Sequence, residues 1–265
     1  MRALIPYLLL AIFPVQGATI AYWNSQTGGT TLTDLAGGDQ NLVGGGGGLG
    51  SSALNIAPFP VPNPDSLTSG ANGSIYFGSA ESPHIDAAGA FQMTGSSSFT
   101  MEGWMRVDAD TTTRYIASDR HQGNSYRGWF VNILSDNRLM FYSNSGGTAT
   151  QIISSSAIAD GTDHHFAAVW DHVNGEMSLY VDGTLQGTLS HSVGSYSVYG
   201  FSIGGRDGTG GGGAFTDNRL TDSRLDELRF SDQALNSSEF LNAVPEPSAA
   251  LLALLGLIPL LRRRR

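Results

Sequence analysis

The feature that most constrains the fold is a two-residue alternation of apolar and polar side chains, interrupted by glycine-rich turns. Residues 99–107 carry apolar side chains at alternate positions, with polar or aromatic side chains between them. The first set is Phe99, Met101, Met105 and Val107, and the second is Thr100, Glu102, Trp104 and Arg106. Side chains two apart share one face of a β-strand, so this stretch predicts a strand with one face in a core.

Similar stretches recur along the chain and predict an all-β protein. Residues 128–134 and 137–143 form one pair of strands, and residues 164–183 hold two more strands around Asn174-Gly175, a strong hairpin turn. Two further strands fit residues 198–204 and 223–231. Several short strands at such spacing are typical of a sandwich of antiparallel sheets. One or two helical turns are predicted near Asn236, where Glu239 stands three residues later as in a capping box.

Composition narrows the functional classes. The chain has no Cys, so no disulfide supports the fold and no thiol does chemistry. It also has no Lys, and its formal net charge is -9. Nucleic acid is excluded as an expected partner, because phosphate binding relies on clustered cations.

The N-terminal residues predict a signal peptide. One Arg precedes an apolar stretch from Ala3 to Val15, and small residues follow at Gly17 and Ala18. Signal peptidase cleaves after small residues of this kind. We therefore expect residues 1–17 to be removed on export, with cleavage between Gly17 and Ala18.

The C-terminal residues 244–265 form a second segment with its own pattern. Pro245-Glu246-Pro247 precedes the apolar run 249–261, and four arginines end the chain. These arginines are Arg262, Arg263, Arg264 and Arg265. Thirteen residues in a helix extend only about 20 Å, against a hydrocarbon core of about 30 Å. The run is therefore too short for a good permanent membrane span.

This order of features resembles the PEP-CTERM sorting signal of Gram-negative bacteria. The resemblance implies that a short hydrophobic helix tethers the protein transiently to the inner membrane. An exosortase-type transpeptidase then removes the tail and releases the protein to the cell surface or extracellular matrix. An ordinary short anchor that stays in place is the alternative. Residues 18–243 are left as the folded domain.

The folded part resembles the concanavalin A-like, laminin-G-type jelly roll. The resemblance rests on the order of SFTMEGWMRV, GWFVNI, RLMFY, DGTDHHFAAVWD, GEMSLYVDG and SRLDELRFSDQALNSSEF, and it spans roughly residues 20–241. AYWNSQTGGTTLTDLAGG resembles the opening strand of the family, and residues 72–86 resemble its second strand. Residues 41–69 depart from the pattern, and we expect them to form a surface loop.

Members of this superfamily bind carbohydrate, bind proteins or hydrolyse glycans. Hydrolysis needs a placed pair of carboxylates, and the Glu-x-Asp pattern of the related glucanases is absent from this sequence. The nearest cluster is Asp222, Asp226 and Glu227. We therefore expect a non-catalytic adhesion module that binds extracellular polysaccharide. A matrix protein that binds other proteins is the main alternative, and a glycan-cleaving hydrolase is the third.

Aromatic side chains beside polar groups are the candidates for glycan binding, because sugar faces stack on rings while hydroxyls need hydrogen bonds. They are Trp104, Trp129, Arg120 and Tyr126. Packing in the core is the alternative role for either tryptophan, and Trp170 is expected in the core. By resemblance to the closing strand of the family, Asp226 is the candidate ligand for a calcium ion, the only cofactor that we expect.

Overall fold

The computed structural model of the chain contains two stacked antiparallel β-sheets. It describes residues 18–23, 31–44, 55–58, 73–77, 83–86, 91–119, 127–145, 148–194, 200–206 and 218–241. Among these residues no helix is long and apolar enough to cross a membrane. The predicted all-β sandwich is therefore confirmed.

Sheet A contains eight strands. They are β1 (Thr19–Trp23), β4 (Asn55–Pro58), β5 (Gly73–Phe77), β7 (Phe99–Val107), β12 (Asp163–Asp171), β13 (Glu176–Val181), β14 (Thr184–Ser190) and β16 (Ser223–Ser231). Their order across the sheet is β14-β13-β12-β7-β16-β5-β4, and β1 also pairs with β16. The strands β7 and β16 therefore lie in the middle of the sheet.

Sheet B contains the other eight strands. They are β2 (Thr31–Leu32), β3 (Leu42–Gly44), β6 (Pro83–Asp86), β8 (Arg114–Ser118), β9 (Trp129–Ile133), β10 (Arg138–Ser143), β11 (Thr150–Ala157) and β15 (Gly200–Ile203). Their order is β11-β10-β9-β8-β15-β6-β3-β2. Consecutive hairpins build one half of this sheet, and strands distant in sequence build the other half.

The core lies between the two sheets and follows the alternation seen in the sequence. The apolar side chains of β7 join one large buried cluster, which also takes every second residue of β9 from Trp129. Gly103 stands where the pattern of β7 would place another apolar side chain. A Cβ atom there would lie 2.5 Å from Leu228 Cδ2. Leu228 on the neighbouring strand thus fills the space that a side chain at position 103 would need.

The hairpin turns match their sequence signals. Gly175 has φ 64° between β12 and β13, and Asn137 has φ 66° between β9 and β10. Both residues adopt the left-handed conformation that Gly and Asn tolerate best. The predicted strand pairs at residues 128–143 and 164–183 are therefore confirmed.

Two sequence-based predictions about the N-terminal half are wrong. Residues 41–69 were expected to form a loop, yet the described parts contain β3 and β4, which pair with β6 and β5. Residues 72–86 were expected to form one strand, but β5 belongs to sheet A and β6 to sheet B. These segments become strands because their backbone groups hydrogen-bond to neighbouring strands. Each is too short to show a periodic pattern in the sequence.

A C-terminal segment, residues 232–241, covers part of the outer face of sheet A. It includes one turn of 3₁₀ helix at Ser237–Glu239, where the Glu239 carboxylate accepts a hydrogen bond from the Asn236 backbone N–H at 2.9 Å. Leu235 and Phe240 of this segment pack on Ala167 and Val169 of β12. The outer face of sheet A is thus covered at one end and open to solvent at the other.

Candidate functional site

Trp104 lies on the open part of the outer face of sheet A. Cross-strand pairing sets its side chain between Asp226 of β16 and His165 of β12. The indole is half-buried, and its ring meets that of His165 edge to face at 5.4 Å. As the alternation predicts, Trp104 shares this face with Glu102 and Arg106. One part of the indole is therefore held in place while the rest faces solvent.

A row of polar side chains crosses four strands beside Trp104, and we call it the arginine row. It consists of Tyr76, Arg224, Arg106 and Asp163, which lie opposite one another on β5, β16, β7 and β12. Arg106 and Asp163 form a two-point ion pair, with 2.7 Å from Nε to Oδ1 and 2.8 Å from Nη2 to Oδ2. Of these two contacts only the one between Nη2 and Oδ2 is a hydrogen bond, and the ion pair restricts the guanidinium of Arg106.

Arg224 is the member of the arginine row whose hydrogen-bond donors are not used by any described residue. Its side chain is half-buried, and it makes neither an ion pair nor a hydrogen bond within the part of the chain that the structure describes. The two nearest acids in the sequence are engaged elsewhere. Asp222 accepts a hydrogen bond from the Tyr76 hydroxyl at 2.9 Å, and this bond raises the pKa of Tyr76. Asp226 accepts one from the Glu227 backbone N–H at 2.9 Å.

The carboxylates of Asp226 and Glu227 lie at a bulge in β16 and are almost fully buried. Asp226 is 1% exposed and Glu227 is 4% exposed. Glu227 has φ 51°, a left-handed conformation that is uncommon outside glycine. Burial raises the pKa of Glu227 from 4.5 to about 7. These two carboxylates are therefore not accessible to a substrate.

The described residues do not gather a calcium site around Asp226. Calcium takes six to eight oxygen ligands, several of them carboxylates. No group of three or more His, Asp or Glu side chains within the described ranges is close enough to hold an ion. A calcium ion bound by Asp226 therefore stays a prediction from the resemblance, and no step of the proposed function depends on it.

A buried network anchors the covered end of the same face. The Glu102 carboxylate is fully buried, and its Oε1 accepts hydrogen bonds from Nε of Arg229 at 2.7 Å and from Nη2 of Arg229. Its Oε2 accepts one from the Leu241 backbone N–H at 2.8 Å and lies 3.1 Å from Nε2 of His165. Phe240 lies over the His165 ring at 6.0 Å. Four contacts from three groups thus satisfy one buried charge and hold the C-terminal segment in place.

The outer face of sheet B has a different character, and we call its three adjacent rings the aromatic row. Tyr115, Phe130 and Tyr142 follow one another across β8, β9 and β10, with ring centroids 4.8 Å and 4.5 Å apart. The guanidinium of Arg206 lies 5.2 Å from the centre of the Tyr115 ring. Phe130 is 2% exposed and Tyr142 is half-buried, so only one end of the row is accessible.

A family model of the Concanavalin A-like lectin/glucanases superfamily, Laminin_G_3, matches residues 77–240. The chain belongs to this superfamily. The match covers the strands from the end of β5 through β16 together with the C-terminal segment, so the order of strands that suggested the resemblance is confirmed.

Solved structures of the same fold include several toxin binding domains. The binding domain of Paraclostridial Mosquitocidal Protein 1 superposes with a TM-score of 0.61 at 17% identity, over 84% of this chain and 50% of that one. The ligand binding domain of botulinum neurotoxin serotype D, in complex with N-acetylneuraminic acid, gives 0.58 at 11% identity, over 87% and 51%. A Trypanosoma rangeli sialidase gives 0.57 at 14% identity, over 89% and 33%.

These similarities establish the fold of this Laminin_G_3 domain. The chain spans about half the length of the toxin domains that it matches. A search of curated proteins found no match. Because the structural neighbours include both binding domains and a sialidase, the fold by itself does not choose between binding and hydrolysis.

The structure separates the predicted ligand-binding residues. Trp129 was a candidate platform, but it is fully buried in the core, and its Nε1–H donates to the Phe91 carbonyl at 2.7 Å. That prediction is wrong, because no ligand can reach the ring. Arg120 and Tyr126 lie outside the described residues. Of the four candidates, Trp104 is the one that the structure places on an open face, and Trp170 lies in the core as expected.

The predicted processing sites lie almost entirely outside the described residues. These are Gly17, Pro245, Glu246, Pro247 and Arg262 to Arg265. Ala18, the residue after the predicted cleavage point, is exposed, and its carbonyl accepts a hydrogen bond from the Asp232 N–H at 3.1 Å. Processing at either end therefore stays a prediction.

The arginine row and the aromatic row were not found from the sequence. The arginine row is assembled from strands that are far apart in the chain, whereas the aromatic row lies on three consecutive strands. The alternation in one strand does not tell which residues lie opposite it. The one available signal was Trp129-Phe130-Val131, since adjacent apolar residues in a strand indicate that both faces of the sheet are covered.

Proposed function

We propose that this protein is an exported, non-catalytic carbohydrate-binding module that binds extracellular polysaccharide through the outer face of sheet A. The observation that carries the proposal is the half-buried indole of Trp104 on the outer face of sheet A, beside the arginine row. Family membership and the carbohydrate-bound neighbour are consistent with it, because this fold supports such binding in that protein.

Trp104 has the properties of a sugar-stacking residue. The apolar face of a pyranose ring packs on an indole, and the surrounding hydroxyls then need hydrogen-bond partners. Arg224 supplies donors that no described residue uses, while Arg106 is held rigid by Asp163. A ring fixed from one side by His165 loses little freedom on binding, which favours affinity.

The burial of the two carboxylates nearest to Trp104 on β16 supports a non-catalytic role. A glycosidase needs an acid and a nucleophile or base on either side of the scissile bond. Asp226 and Glu227 are the acids closest to Trp104 in the register of β16, and both are buried. Neither can approach a glycosidic bond without a rearrangement of the bulge.

The proposal includes the route by which the protein reaches its ligand. The sequence patterns at residues 1–17 and 244–265 support export, a transient inner-membrane tether and release by an exosortase-type transpeptidase. The module would then act at the cell surface or in the extracellular matrix. Mass spectrometry of the secreted protein tests this part, since release predicts a C-terminus close to Pro245 and an N-terminus at Ala18.

The binding test uses the purified protein and a panel of neutral and acidic polysaccharides. Trp104→Ala is expected to weaken binding by about tenfold or more, since base–aromatic and sugar–aromatic stacking contributes on the order of 1–3 kcal/mol. Trp104→Phe should retain part of the affinity because a smaller ring still stacks. Tyr142→Ala, which removes a half-buried ring from sheet B, is the matched control and should bind normally.

The outcomes separate the possible functions. Equal losses in Trp104→Ala and Tyr142→Ala, or none in either, would contradict a platform at Trp104. A folded protein, verified by circular dichroism, that binds no polysaccharide would overturn carbohydrate binding and leave a protein partner in the matrix as the function to seek. Release of soluble sugar during the assay would show a hydrolase instead.

A further inference from the structure

Two arginines face each other across the middle of sheet A in a chain that is otherwise acidic. Arg106 and Arg224 are directly opposite in the register of β7 and β16. Like charges in directly opposed positions destabilise a strand pair. The formal net charge of the whole chain is -9, so a concentration of cations at this point requires a local explanation.

Only one of the two charges is neutralised by a described residue. Asp163 pairs with Arg106 from the other side of β7, in the two-point geometry given above. Within the described residues Arg224 forms no such ion pair, although Asp222 and Asp226 stand two residues before and after it. Those two carboxylates accept hydrogen bonds from Tyr76 and from the backbone of Glu227 instead. The guanidinium of Arg224 therefore has N–H donors that no described residue accepts. It lies beside Arg106, which its ion pair with Asp163 holds in place.

The position of Arg224 relative to Trp104 defines what a ligand must look like. Trp104 lies opposite Asp226, so Arg224 is its diagonal neighbour on the adjacent strand. Diagonal neighbours on one sheet face are roughly 7–8 Å apart, which long side chains can bridge. A ligand whose ring stacks on the indole thus brings its ring substituents to Arg224.

We propose that the ligand is an acidic polysaccharide and that Arg224 selects it by binding the carboxylate of a uronic acid residue. This inference rests on the proposed function, since it requires that a sugar ring stacks on Trp104. A guanidinium presents parallel N–H donors that match the two oxygens of a carboxylate. Binding of that group also offsets the repulsion between Arg224 and Arg106.

The negative net charge of the protein makes binding of an acidic polysaccharide a strict test of this inference. A polyanion is repelled by a protein of net charge -9, so non-specific attraction cannot imitate the expected result. Binding must come from a local contact that outweighs the repulsion. A contact at one arginine should therefore be lost when that arginine is neutralised.

The test compares polygalacturonate with the same polymer after full methyl esterification, which keeps the sugar rings and removes the carboxylate charge. Both are measured with the purified protein in the presence of a chelator, so that calcium cannot bridge carboxylates. We expect the wild-type protein to bind the acid form about tenfold more tightly than the ester. Arg224→Gln should abolish that preference, so that this variant binds the acid form and the ester with similar affinity.

Arg138→Gln is the matched control, because it removes an exposed arginine that pairs with Asp136 on the other sheet. This variant should keep the preference. Equal binding of both polymers by the wild-type protein, or equal effects of the two arginine variants, overturns the selection of acidic glycans. A preference for the acid form that Arg224→Gln retains, in binding that still depends on Trp104, would overturn this inference while the proposed function stands. Binding of no polymer at all would overturn both.

Discussion

The outer faces of the two sheets are stabilised by different interactions, although both are built from antiparallel strands. On sheet A, Glu102 is fully buried and is satisfied by Arg229, Leu241 and His165. On sheet B, the rings of Tyr115, Phe130 and Tyr142 pack side by side. Charges require directed partners, whereas rings gain most of their stability from the area that they bury. The outer face of sheet A is therefore the one that is stabilised by directed polar contacts.

The largest expected effect comes from removing the buried charge of sheet A. Glu102→Ala leaves Arg229 and the Leu241 N–H without their acceptor, and breaking a buried ion pair of this kind costs about 3–5 kcal/mol. Urea denaturation measures the loss in the free energy of unfolding.

Asp163→Ala is the control for that loss. The Arg106–Asp163 pair is 31% and 13% exposed, so its removal should cost about 1 kcal/mol or less. Equal losses in the two variants would show that burial does not distinguish the two ion pairs.

Truncation of the middle ring on sheet B is expected to cost somewhat less. Phe130 is 2% exposed and packs between two other rings, so Phe130→Ala should destabilise the protein by about 3 kcal/mol. The loss should be nearly the same at low and high salt, because the removed contacts with Tyr115 and Tyr142 are between rings. A salt-dependent loss would contradict an apolar basis for this face.

A third variant tests how the stability of the protein depends on pH through a buried carboxyl group of sheet A. Burial raises the pKa of Glu227 to about 7, above its ordinary value of 4.5. The folded state therefore holds this proton more tightly than the unfolded state, and stability is lost as the pH rises from about 4.5 through 7. Glu227→Gln should remove roughly 2 kcal/mol of that loss between pH 5 and pH 8.

Urea titrations at the two pH values measure this difference. Glu176→Gln, which changes a half-buried carboxylate on β13, is the control and should follow the wild-type protein. A wild-type stability that does not fall relative to Glu227→Gln would show that the Glu227 carboxylate is not held neutral by burial.

The strands with strong alternation could be predicted, and the polar ones could not. The central β7 and the hairpin of β12 and β13 showed clear patterns, because one face of each meets the core. The edge strand β14 is largely exposed along its length, and much of β11 carries Ser and Thr, so neither was singled out from the sequence. Edge strands form through backbone pairing with a neighbour, which composition does not report.

The candidate site shows the same limit at the level of single residues. Trp104 and Trp129 look alike in the sequence, yet one is half-buried and the other is in the core. The alternation of Trp129 with Val131 and Ile133 indicates that Trp129 lies in the core, since these three side chains share the core face. The opposition of Arg106 and Arg224 had no sequence signal, because register between distant strands is set by the whole sheet.

The placement of the two ends of the domain has a mechanical consequence. Ala18 is hydrogen-bonded to Asp232 just after β16, and Leu241 is hydrogen-bonded to Glu102 on the strand beside it. Tension applied between the two termini would therefore load β1, β16 and the contact at Glu102, and would bypass sheet B. A protein held in a matrix by its ends would yield first at this corner, while the remaining strands keep their shape.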